Sequence, residues 1–265
     1  MKGLYLYGIC PFSVKRKKMS IKGIDGAGKV NFLRYKDIEA VFSEVKLEEF
    51  SSEEIRRKAI EDLEWIKNKA VAHEKVIEAA MKGFDAPIIP MKFGTIFKTE
   101  KNLLASLKEN HAKFKKLLEK LKNKEEWALK AYADTAILAS AIKNNSSIFQ
   151  EKIKEASSLP AGKDYFLEKE IEEAIFSEVK KSLSDYPPLF FKVFRLLAEE
   201  AKENKILGEE LTQKKDPMVF NGAFLVKKEK VDKFQGGIQK LRVEYEKIGL
   251  TFEPSGPWPP YNFVN

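Results

Sequence analysis

The chain is poor in the residues that most reactive centres are built from. Among its 265 residues there is one cysteine, Cys10, so no intramolecular disulfide and no four-cysteine zinc site can form. A reducing, cytoplasmic setting is the natural expectation. There are two histidines, His73 and His111. Neither sits in an H-E-x-x-H or similar ligand spacing, and His73 is followed by Glu74 with no second histidine four residues on. Packing with one hydrogen bond is the expectation for both. Long apolar runs are missing too: nothing reaches the ~18 residues of a membrane span. The apolar stretch from Leu4 to Phe12 is short, holds Gly8 and Pro11, and has its basic cluster after it, which is not the order of a signal peptide.

Arginine is scarce. Lysine and arginine total 48 against 40 aspartates and glutamates, a formal net charge of +8, but six of the 48 are arginine. Arginine is the side chain suited to bidentate phosphate and base contacts. The lysines are interleaved with glutamate, as in Glu168-Lys169-Glu170 and Lys227-Lys228-Glu229-Lys230, the pattern of a solvated helix face. Nucleic-acid binding through the Lys15 to Lys22 cluster is therefore an alternative reading, not the leading one.

One catalytic motif has to be weighed. Gly23-Ile24-Asp25-Gly26-Ala27-Gly28-Lys29 matches the G-x-x-x-x-G-K part of a phosphate-binding loop. The next position needs a magnesium-binding hydroxyl and holds Val30 instead. A P-loop also lies between an apolar strand and a helix, whereas here a basic stretch precedes and the strand-like Val30-Asn31-Phe32-Leu33 follows. A nucleotide hydrolase using Lys29 is the lesser alternative. No Ser, Cys or Lys has a nucleophile setting, and the carboxylates fall in helical charge patterns. The expectation is a non-enzyme without metal, cofactor or catalytic residues.

What the chain does have is a mixed pattern of strands and helices. Gly3 to Ile9 reads as a strand, and Val30 to Arg34 and Ile38 to Val45 as a hairpin turned at Lys36-Asp37. Ser51 or Ser52 opens a helix whose apolar stripe, Ile55, Ala59, Leu63, Ile66, Ala70, Ile77 and Met81, runs to a C-cap at Gly83. Pro87 to Gly94 reads as an edge strand or a tight strand-loop. Thr99 caps a second helix with Leu103, Leu107, Phe114, Leu117, Leu118 and Leu121 on one side. Trp127, Leu129 and Ala131 mark a strand. Asp134 to about Asn204 is largely helical, broken at Ser157 to Gly162 and at Asp185-Tyr186-Pro187-Pro188. Met218 to Val226 (strand), Lys228 to Ile248 (helix, ending at Gly249) and Leu250 to Glu253 (strand) complete the body. Strands and helices without regular alternation define an α+β class. The junction falls near Lys122 to Glu126. It divides the chain into an N-terminal domain, 1–124, and a C-terminal domain, 125–265, with a ferredoxin-like portion, a helical insertion and an extended tail, 254–265.

Two stiff aromatic segments stand out. One is Pro87 to Phe97. The other is the tail Gly256-Pro257-Trp258-Pro259-Pro260-Tyr261-Asn262-Phe263. Aromatics on a proline-fixed backbone make contacts at low entropic cost. For Trp258 a strap across its own domains is favoured over a docking surface.

These landmarks together resemble the gas vesicle protein F/L family. The resemblance rests on Gly3-Leu4-Tyr5-Leu6-Tyr7-Gly8-Ile9, on Asp37 to Val45, and on His73-Glu74-Lys75-Val76-Ile77-Glu78 followed by Ile89-Pro90-Met91-Lys92-Phe93-Gly94-Thr95-Ile96-Phe97. It continues through Glu126-Trp127-Ala128-Leu129-Lys130, Pro160 to Leu167, Asn221-Gly222-Ala223-Phe224-Leu225-Val226 and the Pro-Trp-Pro-Pro-Tyr-Asn-Phe tail. Lys92 stands where the family has arginine. The resemblance implies a two-domain α+β fold with a tail joining the domains. It also implies a non-enzymatic accessory or minor structural protein of gas vesicles that partners the very hydrophobic shell protein, GvpA, and other accessory proteins. A subunit of that kind aggregates in water unless a partner covers it. The expected contact patch is Ile89, Met91, Phe93, Ile96 and Phe97.

Overall fold

The structure, a computed structural model, describes residues 1–13, 19–84, 86–158 and 163–264. The basic cluster at Lys15 to Lys18, and Leu159 to Gly162 of the expected break, lie outside the described residues. The fold is α+β. Residues 1–126 together with 257–265 form one compact unit, and residues 127–256 form the other. The sequence reading put the whole tail with the C-terminal half, whereas its last nine residues group with the first unit.

In the first unit, β1 (Lys2–Pro11) is the central strand. It pairs antiparallel with β3 (Ile38–Lys46) on one side and with the two short strands β4 (Ile89–Pro90) and β5 (Ile96–Phe97) on the other. β2 (Val30–Tyr35) completes the sheet beyond β3. The β2–β3 hairpin turns at Lys36, which takes φ 53°. Register places Tyr5 opposite Ser43 and Ile9 opposite Ala40, with a shift between Leu6 and Gly8. The expected edge strand at 87–94 is real but interrupted: Pro90 cannot donate to a ladder, and the chain leaves the sheet before rejoining it at Ile96.

The helices of this unit are α1 (Leu47–Phe50), α2 (Ser52–Glu61), α3 (Leu63–Phe84), α4 (Glu100–Glu109) and α5 (His111–Leu121). Ser51 Oγ accepts from Glu54 N and Thr99 Oγ1 from Asn102 N, so both expected N-caps form. The single long stripe does not. Asp62 ends α2 and accepts from Trp65 N, starting α3 with a new phase. Leu63 is then 59% exposed, and the buried face of α3 is His73, Val76, Ile77 and Ala80. Gly83 lies inside α3 and caps nothing. Asn110 divides the second expected helix into α4 and α5 without a side-chain cap bond to α5, and the expected stripe keeps its burial: Leu103, Leu107, Leu118 and Leu121 are buried on both sides of it.

The second unit holds most of β6 (Lys124–Ala133), then α6 (Thr135–Asn145), α7 (Ser147–Ser157) and α8 (Lys163–Arg195). They are followed by β7 (Glu200–Glu203), α9 (Glu209–Thr212), β8 (Met218–Lys227), α10 (Val231–Tyr245) and β9 (Leu250–Trp258). The sheet order is β7-β8-β6-β9. Its core is phenylalanine: Phe190, Phe194, Phe220, Phe224, Phe234 and Phe252 are at most 1% exposed. Phe190 meets Phe252 and Phe194 meets Phe234 edge-on with centroids 5.1 Å apart, the favoured aromatic geometry.

That core explains two departures from expectation. Pro187 and Pro188 do not break the helix, which runs through them. A proline inside a helix costs about 3 kcal/mol. Ile171, Ile175 and Val179 before the prolines and Phe190 and Phe194 after them are all buried in this one core, at roughly 2 kcal/mol each. β7 has no apolar alternation to announce it. It is a strand because Ala201 and its neighbours pair antiparallel with Phe224 and the rest of β8. The last strand also runs further than Glu253: Pro254 and Pro257 are tolerated because β9 is an edge.

Candidate functional site

The most connected polar cluster of the first unit is built where β1, α3, the segment after β4 and the C-terminal residues meet. Side chains alternate along a strand, and the odd positions of β1 turn Tyr5 and Tyr7 into the core, both fully buried. The reset phase of α3 brings His73, 3% exposed, to face them. Tyr5 lies edge-on to His73 at 5.6 Å, and Phe93 stands edge-on to both rings at 6.2 and 6.0 Å.

The hydrogen bonds of this cluster form one directed chain. His73 Nε2 is 3.2 Å from the Met91 carbonyl, which can only accept, so the ring proton belongs on Nε2. That N–H also points to Tyr261 Oη at 3.1 Å. Nδ1 is then the acceptor and takes the Tyr5 hydroxyl proton at 3.0 Å. Tyr5 Oη in turn accepts from Gly94 N at 3.0 Å. At the other end the Tyr261 hydroxyl donates to Glu74 Oε2 at 3.1 Å. A neighbouring link is separate: Ile24 N donates to Tyr7 Oη, 2.7 Å away, which also bonds Ser43 Oγ at 2.7 Å.

Burial sets the protonation of the cluster. It pushes His73 down from 6.5 to about 4, with the Met91 carbonyl pulling weakly the other way. It raises Tyr7 to about 12, and raises Tyr5 as well. Tyr261 is raised by burial and then by the Glu74 charge, and Glu74 itself is raised by burial against the Tyr261 hydrogen bond. Near neutral pH the imidazole is uncharged, and all three phenols keep their protons.

The tail is held at three further points. Asn262 N and Nδ2 donate to the two carboxylate oxygens of Glu126, at 3.1 and 2.7 Å, and Glu126 is 4% exposed. Lys120 Nζ donates to the Phe263 carbonyl at 3.0 Å. Pro259, Pro260 and Phe263 are buried. A buried carboxylate is costly unless donors meet it, so Asn262 and Glu126 fit as a pair. Trp258, the residue singled out for a strap, is 39% exposed. Tyr261, Asn262 and Phe263 each hydrogen-bond the first unit.

The five residues expected as a contact patch do not share one exposed surface. Ile89 is 2% exposed and belongs to the core. Phe93 and Ile96 are partly buried against the core of the first unit. Met91 and Phe97 are half-buried, Met91 beside the Tyr261 hydroxyl through its own carbonyl. Sequence reasoning missed Tyr5, Glu74, Glu126, Tyr261 and Asn262. A carboxylate beside Trp127 in a half-buried strand was the available signal for Glu126. His73 makes more than the one expected bond.

The other sequence candidates resolve as structural features. In the Gly23–Lys29 turn, Asp25 Oδ1 accepts from Ala27 N and Gly28 N at 3.0 and 2.8 Å, and Gly23 N donates to Gly28 O. The amides a phosphate would need are thus taken by the loop's own carboxylate, and Lys29 leads into β2, not a helix. His111 Nε2 meets Asp37 Oδ1 at 2.6 Å with Lys115 on the other oxygen at 3.1 Å, which holds Asp37 down at about 2. Cys10 is buried in β1 with Sγ 3.8 Å from the Glu39 carbonyl. Among the described residues, no group of three or more His, Cys, Asp or Glu side chains is arranged to hold a metal ion. No described helix is long and apolar enough to cross a membrane.

A chain with this two-unit α+β build and buried tail has close counterparts in fold. The crystal structure of gas vesicle protein GvpF from Anabaena superposes with a TM-score of 0.67 at 23% identity, covering 100% of this chain and 97% of that one. GvpF from Microcystis aeruginosa gives the same score at 21% identity, covering 99% of both. These likenesses concern the fold. In sequence, the model of the family "gas vesicle synthesis protein GvpL/GvpF" matches residues 3–265, so the chain belongs to that family. Gas vesicle protein F1 of Halobacterium salinarum is 25% identical over 265 residues, covering 100% of this chain and 93% of that protein. Gas vesicle protein L of a Streptomyces species is 25% identical over 233 residues, covering 88% and 82%.

Proposed function

We propose that this protein is a gas vesicle accessory or minor structural protein that binds the hydrophobic shell protein, GvpA, and supports vesicle assembly without chemistry of its own. The observation that carries the reading is the family match over residues 3–265. The surface supports it. Phe166 and Phe176 on α8, and Leu196 just beyond its end, are 75%, 72% and 80% exposed. Exposed aromatic side chains of this size offer apolar area to a partner. Its localisation in this reading is the gas vesicle and the surrounding cytoplasm, with other accessory proteins as further partners. The two units are its domains, and the element order and sheet order of the second support a ferredoxin-like description.

The decisive experiment is retention of the full chain on immobilised shell protein and on isolated vesicles, without nucleotide, followed by cross-link mapping. Retention that survives high salt supports the reading, because apolar contacts are not screened. Absence of retention on both matrices overturns it. The expected contact at Met91, Phe93, Ile96 and Phe97 is tested by Phe93→Ala with Phe97→Ala. Unchanged retention removes that patch and leaves the α8 side chains as the contact.

A further inference from the structure

The tail contact has the form of a short ligand in a receptor groove. Its anchors are side chains, not an extended ladder. Tyr261 reaches His73 and Glu74, Asn262 spans both oxygens of Glu126, and Phe263 is 4% exposed with its carbonyl on Lys120. Each partner is separated from its anchor by more than 130 residues of chain, so nothing local builds the contact. The segment leading to it is exposed at Gly256 and Pro257, and Gly256 takes φ 141°, a value that side chains rarely adopt. The geometry points to tail exchange. We infer that the groove of the first unit accepts Pro259–Phe263 from a second copy of this chain as well as from its own, giving a dimer with both tails swapped.

Three features favour a second copy as the occupant. The groove is already matched, atom by atom, to an aromatic-Asn-aromatic segment that every copy carries. Exchanging identical elements repeats the same contacts, so it costs little beyond bringing two chains together. The constrained, exposed end of β9 at Gly256-Pro257-Trp258, immediately before the exchanged segment, is the hinge that invites swapping. The competition is set by concentration. A tethered tail acts as its own ligand at about millimolar effective concentration, so the exchange grows as the free chain approaches that level.

Complementation of two full-length variants tests this. Asn262→Ala keeps an intact groove and a weakened tail; Glu126→Ala keeps an intact tail and a weakened groove. Asn262→Ala removes one charge-assisted hydrogen bond and Glu126→Ala two, and each shifts the tail equilibrium by at least about tenfold. The two are mixed at about 0.5 mM, near the tethered concentration, and followed by light scattering coupled to size exclusion, with a different fluorophore on each. The expected result is a heterodimer at least tenfold enriched over the dimer of either variant alone. Two results overturn the inference: a mixture that stays monomeric, or variants that each dimerise as well as the mixture, which would place the interface elsewhere. Should Glu126→Ala lose its near-ultraviolet circular dichroism, Glu74→Ala serves as the groove variant with the same two readings.

Discussion

Replacing His73 by glutamine should flatten the acid side of the stability curve of the first unit. In the folded chain the imidazole is 3% exposed and takes a proton only near pH 4, against 6.5 when unfolded. The sign follows from which state binds the proton. Above pH 6.5 both states are neutral at this position and the stability is fully present. Between 6.5 and 4 the unfolded chain is protonated and the folded chain is not, so stability is lost as the pH falls. At about 1.4 kcal/mol per pH unit, lowering the pH from 7.5 to 4.5 removes about 2 to 3 kcal/mol. Glu74 works in the opposite sense: raised by burial, it makes the folded state bind its proton more readily as the pH falls. That contribution is common to both proteins and cancels between them. The assay is hydrogen exchange of β1 peptides, read as opening free energy at pH 7.5 and 4.5 and corrected for intrinsic rates. The wild type should lose about 2 kcal/mol more than His73→Gln over this range. Curves that stay parallel to within about 0.5 kcal/mol would refute the neutral, buried imidazole.

Three other perturbations probe the rest of the molecule. Gly249→Ala should destabilise the second unit by about 1–3 kcal/mol, measured by urea unfolding; the residue takes φ 92° and a Cβ there would lie 2.8 Å from the Asp134 carbonyl. Phe190→Ala should cost about 3–5 kcal/mol, because its ring packs on Phe220, Tyr245 and Phe252, whereas Phe176→Ser should stay within about 0.5 kcal/mol and still weaken shell-protein retention. Ser51→Ala should remove the α2 cap at a cost of about 1 kcal/mol, visible as faster exchange of the amides after it.

Local rules carried much of the fold. The β2–β3 hairpin, the caps at Ser51 and Thr99, the strand at Met218 and the glycine stop at Gly249 each follow from a few adjacent residues, and all are present. The departures come where a distant partner decides. Pro187 and Pro188 signal a break, yet buried side chains on both sides keep the helix going. Glu200-Ala201-Lys202-Glu203 has no strand pattern and becomes one only because β8 offers an edge. Asp62 interrupts a stripe that continues on paper, because it ends α2 and its carboxylate opens α3 with a new phase.

The tail cluster is the limiting case of that contrast. His73 and Tyr261 are separated by 188 positions, and no period or spacing connects them. The sequence did mark the tail as unusual, since three prolines around two aromatics have little entropy to lose on docking. It could not mark the receiving groove, because the groove is assembled from a strand, a helix, a loop carbonyl and a carboxylate that are individually ordinary. The same logic explains why His73 is neutral. Among the described residues the imidazole bonds a carbonyl and two hydroxyls; the carbonyl favours the charged ring, but the desolvation cost outweighs it. A tail fixed by hydrogen bonds to His73, to the Glu74 and Glu126 carboxylates and to the Lys120 ammonium is held firmly enough to be ordered. It is held by few enough contacts that an identical tail, presented at comparable concentration, competes on equal terms.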